Sequence, residues 1–403
     1  MLGKTAHYPA VFIALLLVLS LGAIHVLQVV RQVDLYYVAK MGLGFDYQDF
    51  YEASQQLDGG SPYDVKRYAT PPLPAILNYP LSRLPFDHAK ILVFGLILVS
   101  VIISYTLVNK IFFRLRDREA ITISLCGLVT MMFSYPLLFL LDRGNIDAFV
   151  ILLLCAGLFL MRKNDLLAGL VWGVAMSMKV YPIIILLPTI ANRRFKTLAG
   201  SVVPPFVSIL VGPGLWAQFA RRIVLRADTF RVTENGSIAN TFVGLGKFLR
   251  LVGVSPSRHS LIVLSMTAYV LLLALMVIAD YRRHKWKQGS NLEQLAEVMM
   301  YFPFMVAIPK VAYHYGLVIL IPMIPMFCYL WNQNHNSGAE KTLLIAILGI
   351  ALSQIQAVAL ERLFDTILPH FIPGFGLFLV MIGCVLYKLC VWPGPRSDSL
   401  AMG

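Results

Sequence analysis

Apolar segments follow one another along almost the whole length of this chain, and no soluble fold can bury that many. They lie near 9–30, 89–109, 120–141, 146–161, 166–178, 180–191, 197–216, 259–280, 292–309, 315–331, 342–360 and 372–392. Many are about as long as the ~20 residues a helix needs to cross a bilayer. With 58% hydrophobic and only 14% charged residues, the chain reads as an all-α polytopic membrane protein of about 12 transmembrane segments (11–13), one domain over 1–403. The first segment has no small-residue cleavage site, which favours a retained span over a removed leader. All five cysteines lie in apolar runs without paired spacing and read as small buried hydrophobes.

Charge gives an orientation. Lys110, Arg114, Arg116 and Arg118 follow the second segment, Arg162 and Lys163 the fourth, Arg193, Arg194 and Lys196 the sixth, and Arg282, Arg283, Lys285 and Lys287 the eighth. With both termini cytoplasmic, all four clusters fall on one side, as cytoplasmic loops require. The segments 31–88, 142–147, 217–258, 309–314 and 361–371 are then expected outside. The net charge of +13 follows largely from this bias. No phosphate loop, zinc finger or basic helix with interleaved aromatics supports nucleic-acid binding.

Three outer features carry chemistry. The first outer loop, within 31–88, is polar, aromatic and acidic. Asp34, Asp46, Asp49, Glu52, Asp58, Asp64 and Asp87 supply seven of the chain's 21 acidic residues. Asp46 among tyrosines and phenylalanines suits a partly desolvated base, although aspartates also cap turns at span ends. Asp49 would share a helical face with it and is the alternative base, with Glu52 behind. Second, 166–178 and 180–191 are each too short to cross, and Lys179-Val180-Tyr181-Pro182 lies between them. A lysine at that depth faces water, a ligand or an ion-pair partner, unless it snorkels. Third, the basic outer loop 217–258 runs against the orientation rule, with Arg226 and Arg231 among its cations. An anionic ligand or an amphipathic helix on lipid headgroups would explain it.

These residues also form an ordered set. Asp46-Tyr47-x-x-Phe50-Tyr51-x-Ala53-Ser54, Gly59-Gly60-x-Pro62-Tyr63-Asp64, Tyr68 and Pro71-Pro72 resemble the first outer loop of glycosyltransferase family 87. Arg143-Gly144-Asn145-Ile146-Asp147 is similar to that family's short outer turn. Asn145 stands where many members have glutamine, and Asp147 where many have asparagine. Ala168-Gly169-x-x-x-Gly173-x-Ala175-x-x-x-Lys179-x-Tyr181-Pro182 resembles its half-span pair. Asn235-Gly236-Ser237 and Tyr313-His314-Tyr315 are similar to its later outer-loop and late-span motifs. Asn235 is also a glycosylation sequon. The resemblance runs from about residue 40 to 330 and leaves the C-terminal spans unmatched.

The resemblance implies a GT-C-like bundle with outer-face loops and amphipathic helices. It implies transfer of a hexose, mannose favoured, from a polyprenyl-phosphate sugar to a lipid-linked or glycolipid acceptor. The expected setting is a bacterial plasma membrane, with chemistry on the periplasmic or extracellular face. It places the family's catalytic aspartate at Asp46 and implies inversion, which suits a one-base displacement. Lys179, Arg143, Lys310 and His314 are candidates for the leaving phosphate, with Arg231 and Asn235 from the basic loop. Tyr51 and Tyr63 are candidates for sugar stacking, against an interfacial aromatic belt. Asp46, Asp49 and Asp64 could bind a divalent cation, but a polyprenyl-phosphate leaving group carries fewer charges than a nucleotide diphosphate, so no metal or other cofactor is expected. A monomer is expected. The competing function is a lipid or solute transporter, since broken half-spans with a buried lysine also suit transport.

Overall fold

The computed structural model describes residues 44–113, 125, 127–129, 134–226, 237–251, 253–286, 291–307, 314–333, 337–354 and 371–390. The expected first span, 9–30, lies outside them. Among the described residues every regular element is helical: α1 (Phe45–Gln55), α2 (Leu73–Asn78), α3 (Phe86–Phe112), α4 (Tyr135–Arg143), α5 (Asp147–Leu160), α6 (Asp165–Met178), α7 (Leu186–Ala191), α8 (Phe195–Val211), α9 (Pro213–Arg226), α10 (Ile238–Leu251), α11 (Arg258–Trp286), α12 (Asn291–Met299), α13 (Phe302–Ala307), α14 (Met323–Gln333), α15 (Ser337–Ser353) and α16 (Ile372–Cys390).

Length and composition make this an integral membrane protein, and among the described residues several of its apolar segments are broken. Among the described residues only α3, the Arg258–Arg282 part of α11, and α16 are long and apolar enough to cross on their own. The expected span 197–216 breaks instead at Gly212-Pro213: α8 and α9 meet there at 102°, because a glycine next to a proline cannot continue the helix. The expected span 292–309 is likewise split into α12 and α13. The element before α14 is a 3₁₀ segment, His314–Leu320. A hydropathy sum does not register such breaks.

The half-span pair is a re-entrant hairpin. Asn164 caps α6, its side chain accepting from Leu167 N at 3.0 Å. The helix rises to Met178, and Lys179 is extended (φ −143, ψ 147). The chain then returns through the 3₁₀ turn Tyr181–Ile185 and α7. The return is fixed at its base, where Arg194 Nη1 lies 2.8 Å from Asp165 Oδ1 and a second guanidinium nitrogen bonds Gln294. Small residues allow close packing on both sides of α6. Trp172 lies over Gly157 of α5 and donates to the Leu154 carbonyl at 3.0 Å. On the other face, a Cβ at Gly169 would overlap the Thr197 carbonyl oxygen of α8, and one at Gly173 would stand 2.5 Å from Pro204 Cδ.

This hairpin gives the bundle two distinguishable ends. The first loop and Lys179 share one. At the other, Arg162 Nη1 donates to the Lys110 carbonyl at 3.4 Å, Arg194 meets Asp165, and Arg193 and Arg282 line one groove. Thus members of all four basic clusters meet at one end of the bundle, as the orientation argument requires.

The loop joining the expected first span to α3 is itself folded. Ser61 and Asp64 form a reciprocal cap. Tyr63 Oη donates to the Thr70 carbonyl at 2.9 Å, Tyr68 Oη to Pro71 at 2.8 Å, and Tyr51 Oη to Leu84 at 2.7 Å. Helix α9 clamps this loop from outside: Ser61 Oγ donates to Gln218 Oε1 at 2.6 Å, and Arg222 donates to the carbonyls of Lys66, at 3.2 Å, and Tyr63. One arginine of the basic loop is therefore spent on protein carbonyls.

Candidate active site

Two chain segments 99 residues apart build the site. α1 begins at Gly44, whose positive φ of 83° starts the helix and whose N–H donates to the Asp142 carbonyl at 2.7 Å. Asp46 therefore stands in the first turn of α1, where the helix N-terminus favours an anion. Opposite it, α4 ends on Gly144 (φ 65°). That left-handed turn lifts Asn145 towards α1, and Asn145 Nδ2 donates to Asp46 Oδ2 at 2.8 Å. Arg143 Nη1 stands 3.6 Å from Asp46 Oδ1, its side chain only 6% exposed against 21% for Asp46. The Arg143 guanidinium also lies over the rings of Phe45 and Phe139, at 5.2 Å from each. The carboxylate is thus held at both oxygens but remains partly open.

The same turn links to the hairpin. Asn145 Oδ1 accepts from the backbone N–H of Asp147 at 3.1 Å. Asp147, buried at the start of α5, accepts from Tyr181 Oη at 3.2 Å and lies 3.5 Å from Lys179 Nζ. Lys179 is paired with an aspartate, and its side chain is 18% exposed. Asp46, Arg143, Asn145, Asp147, Lys179 and Tyr181 form one connected polar set at one end of the bundle.

Gly144 is the keystone of this arrangement. A Cβ there would stand 2.8 Å from Tyr47 Cβ and 2.9 Å from Phe94 Cε1. Gly144→Ala is expected to cost about 1–3 kcal/mol through the left-handed backbone and this overlap. It should also reduce activity by displacing Asn145 from Asp46. A thermal melt of the purified protein beside an activity assay measures both; unchanged values would remove Gly144 from this role.

Asp49 stands one turn along α1, with Arg67 Nε at 2.9 Å from Oδ1 and a side chain 14% exposed. Arg67 also covers the Phe45 ring at 4.3 Å. Burial pushes the Asp49 carboxyl up to about 6; Arg67 opposes the shift, and the nearby Asp46 and Glu52 add to it. Because the folded-state value lies above the ordinary 3.8, the folded state keeps a proton that the unfolded chain has lost. Stability from this group therefore falls as pH rises from about 4 to about 6. Asp49→Asn should flatten that part of a melting-temperature–pH profile; an unchanged slope would assign it elsewhere.

The remaining sequence candidates are placed as follows. Tyr63 is buried within the first loop beside Tyr68 and Phe219, so its ring serves packing there. Tyr51 packs edge-on against Phe86 at 5.2 Å. Arg226 ends α9. His314 opens the 3₁₀ segment before α14. Lys310, Arg231 and Asn235 lie outside the described residues. Asn145, Asp147, Tyr181 and Arg67 also stand at the site, although none of them is a candidate from the sequence. The first three lie inside the quoted motifs, which was the available signal; Arg67 carried none.

Beside the polar set opens an apolar groove of about 360 Å³, lined by Tyr47, Ile146, Phe149, Val174 and Met178 near the site and by Leu77 and Leu96 further out. Leu77 and Leu96 are 55% and 48% exposed, so the groove reaches from the polar set to the bundle's outer surface.

The glycosyltransferase family 87 model matches residues 68–309, more than half of the chain. The chain belongs to glycosyltransferase family 87. The matched region of this family-87 chain contains Arg143, Asn145, Asp147 and Lys179, while Asp46 lies before it. The chain is also similar to GPI mannosyltransferase 1 of Dictyostelium discoideum, 29% identical over 145 residues. That stretch is 36% of this chain and 32% of the relative, so the chain spans about a third of that relative's length.

Proposed function

We propose that this family-87 chain transfers a hexose, mannose favoured, from a polyprenyl-phosphate sugar to a hydroxyl of a lipid-linked or glycolipid acceptor. The observation that carries the reading is the Asp46 carboxylate, fixed by Asn145 and Arg143, whose chain neighbours Tyr47 and Ile146 line an apolar groove. The mannosyltransferase relative favours the sugar. The amphiphilic donor fits a polar centre next to an apolar channel.

In this scheme the acceptor hydroxyl attacks the anomeric carbon as the bond from that carbon to the phosphate oxygen breaks. The hydroxyl proton passes to Asp46, and the bond electrons leave on the lipid phosphate. A single displacement inverts the anomeric centre. Asn145 and Arg143 fix the direction of the Asp46 oxygens, so the base is preoriented rather than mobile. Lys179 and Arg143 supply positive charge near the departing phosphate, and Asp147 with Tyr181 holds Lys179 in place. Asp49, with its carboxyl raised to about 6, is the alternative base.

Orientation follows the basic end, which belongs on the cytoplasmic side; the site then faces outward, periplasmic in a bacterium. α5 and α6 have 14 residues each, a rise of roughly 21 Å against a hydrocarbon core of ~30 Å. With their basic ends at the cytoplasmic surface, Asp147 and Lys179 lie below the outer headgroups.

The deciding experiment incubates the purified full-length protein with a panel of polyprenyl-phosphate hexoses and glycolipid acceptors. Sugar transfer with inversion is expected. Movement of lipid across a vesicle membrane without any transfer would overturn the reading in favour of a transporter.

A further inference from the structure

The bundle end opposite Asp46 carries a second built feature. A groove of about 640 Å³ opens between the returning arm of the hairpin and the end of α11, lined by Leu187, Ile190, Val277, Tyr281, Arg193 and Arg282. Its walls are apolar and its rim cationic. Ile190 is 51% exposed and Tyr281 63%. Among the described residues Arg193 is the one non-glycine with a positive φ, 53°, and it makes no side-chain hydrogen bond or ion pair with any of them. A strained backbone that presents a cation to an open groove is a feature associated with ligand contact. Arg194, its neighbour, is instead consumed by Asp165 and Gln294.

We propose that this groove binds one anionic phospholipid of the cytoplasmic leaflet, its phosphate at Arg193, its glycerol region at Tyr281, and an acyl chain along Leu187, Ile190 and Val277. Arg282, already engaged within the protein, adds positive charge beside the phosphate. Charge and shape select this occupant. A free phosphate would leave the apolar walls uncovered, and a zwitterionic lipid would set its own cation against two guanidinium groups. The lipid would brace α11 against the hairpin that carries Lys179, about one helix length from the reacting centre. The inference does not depend on glycosyl transfer; it requires only that the chain be membrane-embedded with its basic end cytoplasmic.

Native mass spectrometry of the full chain in detergent tests it, with phosphatidylglycerol and phosphatidylcholine of matched acyl chains as probes. Preferential retention of one phosphatidylglycerol is expected, unaffected by added inorganic phosphate. The double variant Arg193→Gly/Arg282→Gln should weaken that retention roughly thirtyfold. Arg193→Gly relieves the positive φ, so this single variant should melt no lower than the parent while losing about fivefold in retention; it serves alone if the double variant does not fold. Equal retention of the two lipids, unchanged retention in Arg193→Gly, or displacement by inorganic phosphate would each overturn the proposal.

Discussion

Asp46→Asn is expected to abolish most glycosyl transfer, by about 10²–10⁴-fold, while the protein remains folded and still binds donor lipid. The substitution keeps the shape of the side chain and leaves an oxygen to accept from Asn145 Nδ2, now 2.8 Å away. It removes only the negative charge and the capacity to take a proton. Loss of the 3.6 Å ion pair does not strand Arg143, which retains the faces of Phe45 and Phe139. The measurement is single-turnover transfer by the purified variant beside a binding isotherm for the donor. A rate within a few-fold of the parent would remove Asp46 as the base. Asp49→Asn would then be the next variant, and the pH–rate profile would show whether a limb near pH 6 disappears with it.

The largest expected loss of stability lies far from the chemistry. Asp280 of α11 and Lys388 of α16 form an ion pair with side chains 1% and 2% exposed. Tyr301 donates to the other Asp280 oxygen at 2.6 Å, and the Lys388 ammonium lies 4.8 Å from the Tyr301 ring centre. Lys388→Met leaves Asp280 charged, buried and without its cation, at an expected cost of about 3–5 kcal/mol. The double variant Asp280→Asn/Lys388→Met removes both charges and should recover most of that loss. Thermal unfolding of detergent-solubilised protein measures both. A Lys388→Met variant that melts with the parent, or a double variant no better than the single one, would show that the pair is not what joins these helices.

What the sequence disclosed depended on how local each signal was. The ends of α3, α5 and α6 fall within a few residues of the expected segments. Pro85, the Asn164 cap and Pro182 mark boundaries by short-range backbone physics. The break at Lys179 was legible for the same reason. The break within 197–216 was not, because hydropathy reads that stretch as continuous whereas Gly212-Pro213 turns the backbone by 102°. Family membership was legible from ordered motifs. The pairing of Asp46 with Asn145 was not, since no local rule links residues 99 positions apart. The aromatic residues of the first loop were legible as a group but not by role: Tyr63 looked available for a sugar, yet its hydroxyl closes on Thr70 within the loop.

The brevity of α5 and α6 has a consequence for fidelity. An activated sugar near an aqueous surface has a competitor in every water molecule, present at far higher concentration than any glycolipid. In the proposed orientation, helices of only 14 residues would hold Asp147 and Lys179, and the Asp46 carboxylate joined to them through Asn145, beneath the headgroups, where water is scarcer than in bulk. The choice between building a glycoconjugate and wasting the donor would thus be made by helix length, before any side chain recognises the acceptor.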